Sequence, residues 1–109
     1  MICMLLILKR NGNNYPTRTR NIKYLKADGS YTSIKTKDGT EFVENHGLYF
    51  FEDAVLATGL FVKLGRALIV NSKFIRYYNH EELFIDGEEK PFEITDECFT
   101  ALNKFYKEL

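Results

Sequence analysis

Few side chains in this sequence have the types and spacing that acid–base, nucleophilic or metal chemistry requires. The 109 residues include two histidines, His46 and His80, two cysteines and three serines. Neither histidine has a second histidine or a cysteine at metal-ligand spacing, and each lies beside turn-forming residues, which predicts exposed loop positions. No glycine-rich loop opens a helix, so no phosphate cradle is predicted. We therefore expect no enzyme activity, no metal site and no cofactor.

The basic side chains are concentrated in two parts of a chain whose net charge is zero. Residues 1–40 hold eight basic and two acidic residues, and residues 61–80 hold four basic residues and no acidic one. Residues 41–60 carry four acidic residues without a basic one, and residues 81–109 carry nine against three. Charge in blocks can build a positive face on a neutral protein, which favours a nucleic-acid partner. A solvated surface with accidental clustering explains the charge alone equally well.

The composition is typical of one globular domain that spans residues 1–109. Apolar residues make up 45% of the chain and aromatic residues 15%, and no glycine- or serine-rich linker divides it. The apolar run at residues 1–8 lacks the features of a signal peptide and is too short to cross a bilayer, so it predicts a first strand. Cys3 and Cys98 allow one disulfide, but reduced thiols are favoured in a chain with this much core. We expect a cytoplasmic protein without membrane contact.

The clearest local signals are four dipeptides in which Asn or Asp precedes Gly. They are Asn11-Gly12, Asp28-Gly29, Asp38-Gly39 and Asp86-Gly87. Such pairs favour type I′ hairpin turns, in which both central residues have positive φ. The β-rich segments that flank them cover residues 4–9, 15–19, 22–27, 31–36, 40–43, 82–85 and 90–94. This spacing predicts a meander of short antiparallel strands.

Two other segments have the period of a helix. Four apolar residues share one face of a short internal helix: Leu48, Phe51, Val55 and Leu56. Gly59 is expected to end that helix. A stripe from Cys98 to Leu109 predicts a C-terminal helix capped by Thr95 or Asp96. With further strands at residues 61–64, 68–70 and 74–78, the predicted fold class is mainly β, with one short internal helix and one C-terminal helix.

Two blocks of this sequence resemble the signature of the LytTR-type DNA-binding domain family. The first is IKYLKADGSYT at residues 22–32, followed by IKTKDG at residues 34–39. The second is FVKLGRALIVN at residues 61–71. In the family this block begins with Phe, any residue, either Arg or Lys, and any residue. His follows, then either Arg or Asn, then Ser, and then an aliphatic run that ends in Asn. The blocks occur in the family's order and spacing, and the resemblance extends over residues 4–109.

The resemblance implies an elongated antiparallel β module that binds duplex DNA without a recognition helix. In this family, loops at the sheet ends enter successive major grooves, where any scaffold can present side chains to base edges. The implied function is a transcription regulator of the response-regulator output type. Its partners would be double-stranded DNA at direct-repeat sites and a second copy bound beside it. Many relatives carry a phosphate-receiving domain first; none precedes the module in this sequence, so we expect no phosphorylation control on the same chain.

The DNA-contacting residues that the resemblance implies lie in three regions. Tyr31 matches a position that reaches bases in relatives, although a half-buried strand tyrosine explains it equally well. Arg66 matches a polar position that can contact guanine or hold a phosphate, and its alternative is a plain surface arginine. Asn71 is better explained as a turn former than as a DNA ligand. The expected DNA-binding residues are Ser30, Tyr31, Lys35, Lys37, Lys63, Arg66, Lys73 and Thr95.

The third region departs from the family pattern. Relatives end the last strand with a Ser-Arg step or a nearby arginine, whereas residues 93–96 read Glu-Ile-Thr-Asp. Gly65 and Ala67 also replace the usual His and Ser. These departures, with the acidic last third of the chain, support an alternative function as a LytTR-fold protein-interaction module that controls another regulator. An RNA-binding sheet is less favoured, because no RNP-like aromatic pattern is present.

Overall fold

The computed structural model of the chain describes residues 5–106. Its strands are β1 (Leu5–Arg10), β2 (Asn13–Arg18), β3 (Ile22–Asp28), β4 (Tyr31–Thr36), β5 (Glu41–Glu44), β6 (Phe61–Leu64), β7 (Leu68–Asn71), β8 (Ile75–Tyr78), β9 (Glu82–Ile85) and β10 (Phe92–Glu93). The helices are α1 (Tyr49–Leu56) and α2 (Asp96–Phe105), and short 3-10 segments cover Thr19–Asn21 and Ser72–Phe74. The mainly β class with two helices is confirmed, and the extents of 43 × 30 × 24 Å agree with an elongated module.

The strands form three antiparallel sheets. The central sheet has five strands in the order β5-β4-β3-β7-β6, and it is flanked by the hairpin β1-β2 and by a three-stranded sheet β10-β9-β8. Side chains alternate between the faces of a strand, so β3 sends Leu25 to one core and Tyr24 to the other. The hairpin and α1 cover the Leu25 face, whereas the small sheet and α2 cover the Tyr24 face.

The turn dipeptides behave differently from one another. Asn11 and Gly12 have φ of 51° and 77°, which confirms the predicted turn with two positive φ values. That prediction is wrong for the three Asp-Gly pairs, because Asn11 is the only non-glycine residue with positive φ in the described part of the chain. At the β3–β4 connection the cause is register: Asp28 pairs with Tyr31, so Gly29 and Ser30 are the central residues.

Both helices form where the periodicity places them. In α1, Phe51 and Val55 are buried, and the Gly59 N–H donates to the Leu56 carbonyl at 3.2 Å, which ends the helix as predicted. In α2 the cap is Thr95, whose hydroxyl accepts from the Cys98 N–H at 3.3 Å. This helix stops at Phe105, earlier than the apolar stripe predicts, because Tyr106 is extended and its hydroxyl donates to the Ser72 carbonyl.

Some expectations fall on residues that the structure does not describe. The start of the first strand at residue 4, the Cys3 thiol and the end of the stripe at Leu109 lie outside residues 5–106. Cys98 itself is a free, partly buried thiol. Neither α1 nor α2 is long and apolar enough to cross a bilayer.

Candidate nucleic-acid interface

Three connections meet at one end of the central sheet, which we call the Tyr31 end. It comprises the β3–β4 turn at residues 29–30, the β6–β7 turn at residues 65–67 and the loop that follows β5 at residues 45–48. The Ala27 N–H donates to the Ala67 carbonyl at 2.8 Å, which joins the last residues of β3 to the β6–β7 turn. The Thr32 hydroxyl donates to the His46 carbonyl at 2.7 Å, which fixes the third connection beside them. The fold therefore brings Ser30, Tyr31 and Arg66 to the same end.

Tyr31 and Arg66 are both accessible at this end. Tyr31 is 46% exposed at the start of β4, so it is a half-buried strand tyrosine whose remaining surface is open to a partner. Gly65, with φ of 71°, allows the tight β6–β7 turn that lifts Arg66 out of the sheet. Among the described residues, the exposed Arg66 side chain has no ion-pair or hydrogen-bond partner. Its guanidinium is thus available to bind an external acceptor.

A strip of basic side chains continues from Tyr31 along one face of β3 and β4. Tyr31 and Lys35 share this face by alternation, and Lys26 joins them because it pairs with Ser33 in the neighbouring strand. Lys26 is exposed, with its Nζ 5.9 Å from the centre of the Phe92 ring. Together with Lys90 these lysines line an open cleft of about 600 Å³ between the sheet and the loop at residues 86–91. Glu88 and Glu89 line the same cleft, and Glu41 pairs with Lys35 in the neighbouring strand, so the face beside Tyr31 carries lysines and carboxylates together.

Glu88 neutralises part of this strip. Its carboxylate lies 3.8 Å from the Nζ of the buried Lys23 and 4.0 Å from the Nζ of Lys35. It also accepts a hydrogen bond from the Tyr24 hydroxyl at 3.0 Å. Burial, and then the Glu88 carboxylate, raise the pKa of Tyr24 far above its usual value, so the phenol stays protonated and keeps donating. Lys26 and Lys90, in contrast, form no ion pair within residues 5–106.

The remaining predicted DNA contacts are scattered. Lys63 lies on β6 near the Tyr31 end, but its Nζ is bound to the Glu52 carboxylate at 2.8 Å. Lys37 and Lys73 lie at the opposite end of the sheet, where Lys37 N–H donates to the Asn21 carbonyl and Lys73 N–H donates to Asn71. Five residue steps of about 3.3 Å along β4 put this end about 17 Å from Tyr31. The Thr95 hydroxyl caps α2, and this helix lies in a different layer of the fold from the central sheet.

Asn71 is a structural residue, as expected. It is completely buried, and its amide donates to the Ile22 carbonyl at 2.9 Å and to the Arg20 carbonyl at 3.4 Å. Its side-chain oxygen accepts from the Lys73 N–H at 3.0 Å. These bonds tie the end of β7 to the start of β3, and we call this the Asn71 end of the sheet. No surface of Asn71 remains for DNA.

Sequence reasoning missed Lys26 and Lys90 as members of the basic strip. Lys26 was predictable, because a hairpin turn centred on Asp28-Gly29 already pairs Lys26 with Tyr31 and so places both side chains on one face. Lys90 was not, since its position depends on how the loop at residues 86–91 folds over the sheet. His46 is exposed, as predicted, and its ring stacks on Phe50 with 3.9 Å between centres.

Comparison with known proteins places this geometry in a family. The family model for LytTr DNA-binding domains matches residues 12–107. The fold is similar to that of the LytTr DNA-binding domain of a Bacillus cereus protein described as a methyl-accepting/DNA response regulator, with 20% identity, a TM-score of 0.75, and coverage of 94% of this chain and 95% of that one. No curated protein matches the chain. The resemblance inferred from the sequence is thereby confirmed, and the chain belongs to the LytTr DNA-binding domain family, whose non-enzymatic domains bind DNA and regulate transcription.

Proposed function

We propose that this domain is a sequence-specific transcription regulator that meets duplex DNA with the Tyr31 end of its central sheet. The observation that carries the proposal is that two accessible side chains lie at the same end of the sheet: Tyr31 at the start of β4, and Arg66, which has no ion-pair or hydrogen-bond partner within residues 5–106. A major groove is wide enough to accept such turns, and arginine is the side chain that most often specifies guanine. The general DNA-binding role of the family supports the choice of partner.

The basic strip supplies the sequence-independent part of the interaction. Phosphate contacts position a protein on DNA, whereas base contacts specify the sequence. We assign phosphate contacts to Lys26, Lys35 and Lys90, which line the cleft beside Tyr31. Direct-repeat sites and a second copy on the DNA follow from the family resemblance. A regulator of this kind acts in the compartment that holds the DNA, in agreement with the predicted cytoplasmic location.

Titration of the protein with duplex DNA at several salt concentrations tests the electrostatic part. If about five phosphates are neutralised, log K against log salt should have a slope of roughly −4 to −5. Lys26→Ala should weaken binding to every sequence alike and reduce the slope by about one. A slope near zero would contradict DNA binding by this surface.

Sequence discrimination is tested with Arg66→Ala, on a duplex selected from a random pool and a scrambled version of it. The loss of a bidentate base contact should remove about 1–3 kcal/mol of discrimination between the two duplexes. Arg20→Ala is the matched control, because Arg20 is an exposed arginine at the Asn71 end. If Arg66→Ala weakens both duplexes equally, or if Arg20→Ala has the same effect, Arg66 does not contact bases.

A second candidate function is a protein-interaction module that controls another regulator. It is favoured by the exposed carboxylates at the start of α2, where Asp96 has a side chain 86% exposed and Glu97 is its exposed neighbour. A cation would be expected there if this helix approached phosphates. Failure to bind any duplex at low salt, with a folded protein, would favour this second function.

A further inference from the structure

A second basic groove lies between the hairpin β1-β2 and the β4–β5 turn, outside the proposed DNA-binding surface. It encloses about 820 Å³, within the range of sites that hold small molecules. Its lining includes three cations, one carboxylate and two aromatic rings: Arg10, Arg18, Lys37, Asp38, Tyr15 and Phe42. Lys37 was predicted to contact DNA, yet it lies at the Asn71 end together with this groove.

The three cations of the groove have no partner among residues 5–106. In the described part of the chain, the side chains of Arg10, Arg18 and Lys37 form neither an ion pair nor a hydrogen bond. The carboxylate of Asp38 is turned into its own loop, where it accepts hydrogen bonds from the Thr36 hydroxyl and the Thr40 N–H. Those bonds lower the pKa of Asp38. The groove therefore keeps a surplus of cations, which favours an anionic ligand.

The groove also offers a flat ring. Tyr15 is 41% exposed, and the buried Phe42 meets its ring edge-on with centres 5.5 Å apart. An aromatic side chain held in this way can stack against a base without much loss of side-chain freedom. An aromatic ring beside cations that no group within residues 5–106 pairs with favours a ligand that has both a planar ring and a negative charge.

We propose that this groove binds a nucleoside phosphate, with the phosphate between Arg18 and Lys37 and the base against Tyr15. A guanidinium matches phosphate oxygens with two parallel hydrogen bonds, and a lysine adds a mobile point charge. A backbone hydrogen bond holds the segments that carry these two cations together: the Lys37 N–H donates to the carbonyl of Asn21 at 2.7 Å, and Asn21 is three residues after Arg18. Arg10 lies at the other end of the hairpin and adds to the field along the groove.

Isothermal titration calorimetry at low salt, with ADP, adenosine and inorganic pyrophosphate as probes, tests the site. ADP should bind at least tenfold more tightly than adenosine or pyrophosphate, because only ADP has both parts. Arg18→Ala and Lys37→Ala should each weaken ADP at least fivefold. Tyr15→Leu should weaken ADP and leave pyrophosphate unchanged. Arg20→Ala, an exposed arginine that does not line the groove, should leave ADP binding intact.

Three results would overturn the proposal. Equal affinities for ADP and pyrophosphate would mean that the base makes no contact in the groove. An equal loss of ADP affinity in Arg20→Ala would mean that only general surface charge attracts the ligand. Absence of ADP binding, with duplex binding lost in Arg18→Ala and Lys37→Ala, would assign the groove to DNA phosphates instead. Circular dichroism of each variant separates these outcomes from misfolding. The dependence of duplex binding on Arg66 is measured independently, so the two proposals can fail separately.

Discussion

Replacement of Asn71 by alanine tests whether this family position serves the fold or the DNA. The Asn71 side chain is fully buried and makes hydrogen bonds with three backbone groups, those of Arg20, Ile22 and Lys73. It lies at the opposite end of the sheet from Tyr31. Asn71→Ala should therefore lower stability without lowering the affinity of the folded protein for DNA.

The size of the loss follows from those bonds. The bonds to Ile22 and Lys73 are 2.9 and 3.0 Å long, so each contributes about 1 kcal/mol, whereas the 3.4 Å bond to Arg20 contributes little. Leaving buried backbone groups without partners adds about 1–3 kcal/mol. The sum is about 3–5 kcal/mol, and we expect the lower end, about 3 kcal/mol, because the Lys73 bond is only partly buried and water can replace the lost acceptor. For a domain of this size, that lowers the melting temperature by about 10–25 °C.

Urea unfolding followed by circular dichroism measures the change, and Asn79→Ala is the matched control. Asn79 also accepts from two backbone N–H groups, those of Glu81 and Glu82, each at 2.9 Å. It is exposed, so water replaces the lost acceptor and the cost should stay below about 1 kcal/mol. The reasoning is refuted if Asn71→Ala costs no more than Asn79→Ala, or if it abolishes duplex binding while stability is unchanged.

Two further predictions concern single side chains. Thr95→Ala should lower the free energy of unfolding, measured in urea, by about 1 kcal/mol, because Thr95 caps α2. Asp96→Asn should leave the free energy of unfolding unchanged. A larger loss for Asp96→Asn than for Thr95→Ala would mean that Thr95 is not the cap. Hydrogen bonds from Thr36 and then Thr40 lower the pKa of Asp38 in the folded state, so its contribution to stability is present above the unfolded pKa of about 4 and is lost as pH falls through the folded pKa. Thermal melts between neutral pH and pH 2 should show a shallower acid loss for Asp38→Asn than for the parent protein, and parallel curves would contradict the prediction.

Local signals predicted most of the fold. The Asn11-Gly12 turn, the stripe of α1 and the stripe of α2 depend on neighbours in sequence, and each occurs within a few residues of its predicted place. The Asp-Gly turns were misjudged for a reason that is not local. A strand register that pairs Asp28 with Tyr31 leaves the aspartate in the strand and moves the turn one residue on.

The candidate site was less predictable, because it depends on contacts between distant parts of the chain. No residue pattern around Lys63 predicts its ion pair with Glu52. The ion-pair partners Lys23 and Glu88 are 65 positions apart in the sequence. The end of the sheet at which a lysine lies is also set by strand direction. Lys35 and Lys37 are close to Tyr31 in sequence, but the extended course of β4 carries Lys37 to the opposite end.

The pairing of charges explains how a neutral chain can still present cations without a carboxylate partner. Two carboxylates of the central region lie beside lysines: Glu52 binds Lys63, and Glu88 lies between the buried Lys23 and Lys35. Others are exposed at the start of α2, outside the central sheet. At the Tyr31 end, Asp28 lies at the end of β3, whereas Glu44 is buried and accepts a hydrogen bond from the Lys9 N–H. Within residues 5–106, Arg66 and Lys26 form no ion pair. A phosphate that approaches this end can therefore pair with two cations that no carboxylate holds, even though the net charge of the chain is zero.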